Sequence, residues 1–168
     1  MSNDNNRTLT VTWDDPMVYV QHAATMSGLE IMQAMIAGQF PPPPIARLMN
    51  FTLGEVEKGR AVFTAEPAEY HYNPIGVVHG GLISTLLDSA LGCAVHTTLS
   101  AGVLYTTLEL HVNFVRPLTQ HTGPVRCEAQ VLHSGRRMAT AEAKVTDAGG
   151  KLYGHGTTTC MIFPADGG

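Results

Sequence analysis

From Tyr70 to Leu108 the chain runs 39 residues with one formally charged side chain, Asp88, where its overall charged fraction of 14% would place about five. Inside that stretch, His79 to Leu99 reads as a helix. Its apolar residues Leu82, Ile83, Leu86, Leu87, Ala90, Leu91, Cys93, Ala94 and Val95 cover nearly the whole circumference. A helix that is apolar on all sides has no face for water and must be enclosed by other elements.

The flanking segments supply the enclosure. Arg47 to Glu57 and Arg60 to Ala68 lie either side of the turn pair Lys58-Gly59 and read as a hairpin. Four further strands follow the helix, at Val103 to Val115, Pro124 to His133, Arg137 to Asp147 and Lys151 to Phe163. Ser134-Gly135 and Gly149-Gly150 sit at their junctions, where positive φ is expected. Consecutive hairpins give an antiparallel sheet. The expected fold is α+β, one long central helix wrapped by a curved antiparallel sheet of about six strands, over residues 45–168.

Pro41-Pro42-Pro43-Pro44 is a stiff, extended run that sets residues 1–44 apart as an N-terminal helical arm and linker. Within the arm, Pro16 to Gln39 reads as a single helix capped by Asp14 or Asp15. Leu29, Met32 and Ile36 recur at helical spacing with Met35 beside them, an apolar face expected to dock on the main domain.

Ten basic residues against fourteen acidic ones give a net charge of −4 and a pI near 6.0, with no block of like charge, which argues against a nucleic-acid partner. A charged fraction of 14%, against about 25% in typical soluble domains, points to surface hidden in an oligomer. Cys93, Cys127 and Cys160 are odd in number and lack metal-ligand spacing, so they read as small buried side chains in a reducing compartment. His22, His71, His96, His111, His121, His133 and His155 show no metal spacing either, and no metal or cofactor is expected. Met1 to Arg7 lacks the pattern of a signal peptide, and no apolar run approaches the roughly 20 residues that span a bilayer. The chain reads as cytoplasmic, with no membrane partner.

Asp88 needs a reason to exist. An ionised carboxylate in a buried helix is costly unless paired, and Asp is a poor helix-interior residue. A salt bridge or a hydrogen bond to a strand would explain it, and so would an active site, where perturbed carboxylates are enriched. The approach to the helix, His71-Tyr72-Asn73-Pro74-Ile75-Gly76-Val77-Val78-His79-Gly80-Gly81, is glycine-rich and leaves the first helical N–H groups without intrahelical partners. Such a start can hold an anion or stabilise an oxyanion at an attacked carbonyl; the glycines can equally serve tight packing of the helix end on a strand. Gly80 and Asp88, eight residues apart, are separated by about 12 Å along one helix. Both must come within about 3 Å of one reacting group to cooperate, so they would have to come from two subunits with antiparallel helices.

The run Asn73-Pro74-Ile75-Gly76-Val77-Val78-His79-Gly80-Gly81-Leu82, followed by Leu87-Asp88 and by Asn113-Phe114-Val115-Arg116-Pro117, resembles the hotdog-fold acyl-CoA thioesterases of the PaaI-like (phenylacetic acid degradation) family over about residues 45 to 164. The resemblance implies a helix inside a curved sheet, a homodimer as the minimal unit, often paired into a homotetramer, and acyl-CoA as substrate. It implies Asp88 as the acidic catalytic residue, the Gly80 amide as the donor to the thioester carbonyl, and Asn73 and His79 as polar groups of the facing subunit. It places Thr107 where a Ser or Thr helps position the nucleophilic water. Strand alternation alone puts Leu108, Leu110, Val112 and Phe114 on one face and Thr107 on the other, with Glu109 and His111.

Thioester hydrolysis needs an attacking oxygen, a stabilised oxyanion and a departing thiolate, which one carboxylate and one amide can provide. Asp88 could attack directly or act as a base on water. His79 could instead cap the helix, and Asn73 could be a turn former. Gly81 joins Gly80 at the expected substrate site, and Arg116, Arg136 and Arg137 are expected to hold CoA phosphates, or to be ordinary solvated charges. Ser84 lacks the strand-to-helix elbow of a serine hydrolase. Two rivals stand beside this reading: an acyl-CoA hydratase or dehydratase on the same fold, and a non-catalytic acyl-CoA-binding module.

Overall fold

The computed structural model describes residues 6–165; the polar start read at Met1–Arg7 lies outside it up to residue 5, as do the last three residues of the domain. The helix required by the charge-free stretch is α4, Gly80–His96, with Leu87, Ala90, Leu91, Ala94 and Val95 fully buried. Each large apolar side chain removed from water this completely contributes roughly 1.5–3 kcal/mol.

Six strands wrap it: β1 (Phe51–Glu57), β2 (Arg60–Ala65), β3 (Val103–Phe114), β4 (Val125–Ser134), β5 (Met138–Asp147) and β6 (Leu152–Pro164). They form one antiparallel sheet in the order β1-β2-β4-β5-β6-β3. Four of the inward residues of β4 and β5 are alanines, Ala129, Ala139, Ala141 and Ala143, all buried, so the sheet closes tightly on α4. The hairpin tip between β1 and β2 is tied to the end of α4. Buried Thr97 accepts the Gly59 N–H at 2.7 Å and donates to Ala94 O at 2.6 Å. The strand after α4 does not pair with its sequence neighbours. β3 crosses to β6 and becomes an edge strand twelve residues long.

The sheet follows the expected boundaries closely at β3 to β6. At the strand junctions Gly150 has the expected positive φ, 77°, and Gly135 and Gly149 do not. The arm departs from its expected boundaries. Instead of one helix over Pro16 to Gln39 there are two, α1 (Val18–His22) and α2 (Gly28–Ile36). The break has a local cause. Ser27 caps α2 in a reciprocal box with Glu30, a stronger start signal than the continuation of α1. Asp15 accepts the Met17 N–H at 2.9 Å ahead of α1. The buried face of α2 is Gly28, Ile31, Met32 and Ala34, while Ile36 is exposed. The last proline of the run opens a helix, α3 (Pro44–Leu48), because a proline at the first helical position gives up no hydrogen bond. Arg47 therefore sits in α3, and β1 begins only at Phe51.

Ile31 and Met32 are buried in the same core as α4. Cys127 and Cys160 are fully buried thiols and Cys93 is partly buried. Among the described residues no helix is long and apolar enough to cross a membrane.

Candidate active site

Asp88 sits midway along α4, and its Oδ1 accepts a hydrogen bond from Thr107 Oγ1 at 3.0 Å. No cation forms an ion pair with it among the described residues. Its partner is therefore a strand hydroxyl rather than a buried salt bridge. Strict alternation groups Thr107 with the exposed Glu109 and His111, and the correction comes from a β-bulge. In the β3–β6 ladder Thr107 pairs Cys160 and Glu109 pairs Thr159, which leaves Leu108 as an extra residue that points into solvent, 61% exposed. One inserted residue changes the facing of everything before it relative to everything after it. Tyr105 and Thr107 line the Asp88 cavity, while Leu110 and Val112 pack against the core.

The cavity has a volume of about 320 Å³. Besides Asp88 and Thr107 its walls include Phe51, Phe63, Tyr105 and Cys93. Phe51 and Phe63 meet edge to face with centroids 5.7 Å apart. Burial pushes the Cys93 thiol up to about 12, with the Asp88 charge adding to the shift, so it is a protonated apolar wall and not a nucleophile.

The other residues gather at the start of the helix. His79 is the N-cap of α4, its Nδ1 accepting the Gly81 N–H at 2.8 Å. With Nδ1 accepting, the ring proton lies on Nε2. The Gly81 amide is thus held by His79, and Leu82 N–H is held by His79 O at 3.0 Å. The Gly80 N–H has no acceptor among the described residues. Close packing also explains both glycines: a Cβ on Gly80 would lie 2.9 Å from Phe114 Cζ, and one on Gly81 would lie 2.8 Å from His79 Nδ1. Asn73 Oδ1 accepts from the amides of Ile75 and Val77 at 3.1 and 3.3 Å, the work of a turn former, and its Nδ2 carries no hydrogen bond among the described residues.

Gly80, Gly81 and His79 line a second cavity, of about 700 Å³, together with Phe114 and Arg116. Asp88 and Thr107 are not part of it. One chain thus keeps the carboxylate and the helix-start amide in separate cavities. Arg116 reaches Leu152 O at 2.6 Å, while Arg136 and Arg137 sit in the β4–β5 turn, beyond Ser134, which contacts Thr98 just past the other end of α4. Arg60 and Arg126 are committed to Glu55 and Glu128 on the outer face of the sheet, where they hold the Glu55 carboxyl down at about 2. No three metal-ligating side chains cluster among the described residues.

Comparison with known proteins matches residues 75–153, from the approach to α4 into β6, to the thioesterase superfamily. The chain is 30% identical over 97 residues to the 1,4-dihydroxy-2-naphthoyl-CoA hydrolase of Listeria monocytogenes, spanning 58% of this chain and 77% of that one. It belongs to the thioesterase superfamily. A phenylacetic acid degradation-related protein from Ralstonia eutropha superposes with a TM-score of 0.70 at 28% identity, covering 77% of this chain and 98% of that one. A Streptococcus mutans protein solved with acetyl-CoA bound superposes with a TM-score of 0.62 at 26% identity, over 68% and 90% of the two chains. The helix wrapped by a six-stranded sheet is the hotdog fold of these thioesterases.

In this thioesterase fold, the residues that sequence reasoning missed are those lining the Asp88 cavity from distant elements: Met35, Pro42, Phe51, Phe63 and Tyr105. The inward facing of Tyr105 and Thr107 left no mark in the sequence, because Leu104, Leu108, Leu110 and Val112 continue one phase of alternation straight through the bulge that the β3–β6 ladder reveals.

Proposed function

We propose that the chain hydrolyses acyl-CoA thioesters to the free acid and CoA, in a site shared by two copies. Asp88 and Thr107 come from one copy, and the Gly80 N–H and Asn73 Nδ2 come from the other. The hydrogen bond from Thr107 to Asp88 Oδ1 carries this reading, because it holds an otherwise unpaired carboxylate in a defined pose and leaves Oδ2 to act. The Gly80 amide donates to the thioester oxygen as negative charge grows there. Asp88 either attacks the carbonyl carbon or draws a proton from the attacking water. The C–S bond breaks, CoA leaves as a thiolate, and water supplies the second oxygen of the acid. His79 holds the start of α4 in place. The acyl-CoA named for the Listeria relative and the acetyl-CoA bound to the Streptococcus protein support this substrate class.

Pairing between β3 edges builds the dimer. A twelve-residue edge strand ending in exposed Phe114, with Leu108 exposed at its bulge, invites a second strand, whereas the opposite edge, β1, is short and carries Glu55 and Glu57. Arg136 and Arg137, which form no ion pair among the described residues, are the side chains proposed to meet the CoA phosphates.

The test is release of CoA thiol from a panel of acyl-CoA esters by the wild type and by Asp88→Asn. The variant is expected to stay folded and dimeric and to lose about a thousandfold or more in kcat, the scale of losing a catalytic group. Near-normal hydrolysis by Asp88→Asn, or hydration of an enoyl-CoA without thiol release by the wild type, would overturn the assignment.

A further inference from the structure

Three residues lining the Asp88 cavity, Met35, Pro42 and Pro43, come from the N-terminal arm, outside the segment matched to the superfamily. The arm is pinned there. Gly28, at the start of α2, donates its N–H to Leu99 O at 3.1 Å, and a Cβ at that position would lie 1.9 Å from His96 O. No other residue lets α2 come this close to the end of α4. Ile31 and Met32 are 2% and 5% exposed, and the Ser27–Glu30 box fixes the direction of α2. Two ring-locked prolines and a firmly seated helix make a stiff wall. Met35 is its one deformable member, unbranched and only partly buried. Phe51, Phe63 and Tyr105 line the same cavity.

The volume sets a scale. At the roughly 30 Å³ that a water molecule takes in the liquid, close to the size of a methylene, 320 Å³ holds about ten non-hydrogen atoms. Resting on the proposed thioesterase reading, we infer that the arm closes the acyl pocket and sets the length of the acyl group at up to about ten carbons, with Met35, the deformable side chain of that wall, as the specificity-determining residue. The recognised chemistry is a compact apolar acyl group with its thioester carbon at Asp88. The long chains of membrane lipids exceed the space.

The experiment is a straight-chain series, acetyl-CoA to palmitoyl-CoA, with released thiol giving kcat/KM for the wild type, Met35→Ala and Met35→Trp, and with melting curves to confirm folding. The wild type is expected to favour octanoyl-CoA over palmitoyl-CoA at least tenfold. Met35→Ala removes three non-hydrogen atoms, room for about three methylenes, each worth roughly fourfold when moved into an apolar site. Its dodecanoyl-to-octanoyl ratio should rise about tenfold or more. Met35→Trp should lower the octanoyl-to-butanoyl ratio about tenfold. A wild type that cleaves palmitoyl-CoA as well as octanoyl-CoA, or ratios that stay fixed in both folded variants, overturns the role of the arm and leaves the hydrolysis standing. Absence of thiol release from every ester overturns the hydrolysis itself, and this inference with it.

Discussion

Helix α4 carries two regions of opposite chemical character. Around Gly80 the polar groups without a partner among the described residues are donors: its own amide, Asn73 Nδ2 on the approach loop, and His79 Nε2. Around Asp88 the cavity offers a carboxylate held by one hydroxyl, set among aromatic rings and the arm. The first region is made by a few residues adjacent in sequence and takes its character from backbone ends that any helix start exposes. The second needs α4, β1, β2, β3 and the arm at once. Each is locally organised and chemically half of what acyl transfer requires, and a stiff helix keeps them about 12 Å apart in one chain. In the site proposed above, they are complementary halves that meet when two copies place their helices antiparallel.

The sharpest way to break this comparison is to remove the donor half without disturbing the helix. Proline lacks the N–H yet is accepted at the first helical position, and His79, at φ −62° and ψ 136°, already has the backbone that a following proline demands. Gly80→Ala is the control. It keeps the N–H and meets only the far end of the Phe114 ring. Gly80→Pro is expected to fall about 10² to 10³ in kcat below Gly80→Ala, the usual cost of losing one oxyanion donor. Mixing Gly80→Pro with Asp88→Asn adds a second test. Half of randomly paired dimers are then mixed, and each mixed dimer has one intact site of two, so about a quarter of wild-type activity should return. No recovery despite demonstrated subunit exchange would show that the two groups do not act together across the two copies.

A smaller effect sharpens the carboxylate half. Thr107→Val keeps the shape and deletes the hydroxyl that fixes Asp88 Oδ1. A hydrogen bond to a charged group contributes about 1.5–3 kcal/mol, or roughly ten- to a hundredfold in kcat if its whole effect is on the reacting pose. Thr107→Ser should remain near the wild type. Equal rates in the Val and Ser variants would show that the bulge-directed contact does not matter to turnover.

How much of this was legible in sequence tracks the same contrast. The buried helix, its single charge and the glycine start are local patterns, and they appear where the periodicity put them. The strands β3 to β6 begin and end within about a residue of the segments read from alternation and turn chemistry. The resemblance put Thr107 at the site, but alternation alone set it with Glu109 and His111, because strict alternation assumes that no residue is inserted and the Leu108 bulge breaks that assumption. The arm was read as one helix because Leu29, Met32 and Ile36 share a helical face, whereas the cap at Ser27 and the contact of Gly28 with His96 decide where α2 starts and which face it buries. The walls of the Asp88 cavity left little local trace, since residues as distant as Met35 and Tyr105 meet only after the sheet has closed.

The smallest expected effect concerns His79, which stands between the two explanations of the helix start. Its Nδ1 accepts the Gly81 amide at 2.8 Å, and this is the work of a cap. Losing a cap costs about 1 kcal/mol, so His79→Ala should lower the melting temperature by roughly 2–4 °C in a domain of this size. Asn is among the best capping residues and should restore that loss, although it cannot place a donor where the imidazole Nε2 lies. If His79 serves only to keep the first amides in order, His79→Asn should hold turnover within about tenfold of the wild type, as removal of a positioning group that has been replaced in kind. A hundredfold loss in a variant whose melting temperature has returned would move Nε2–H into contact with the thioester. The donor half would then include a side chain from the cap as well as the backbone amide, and its chemistry would depend on the tautomer that the Gly81 amide enforces.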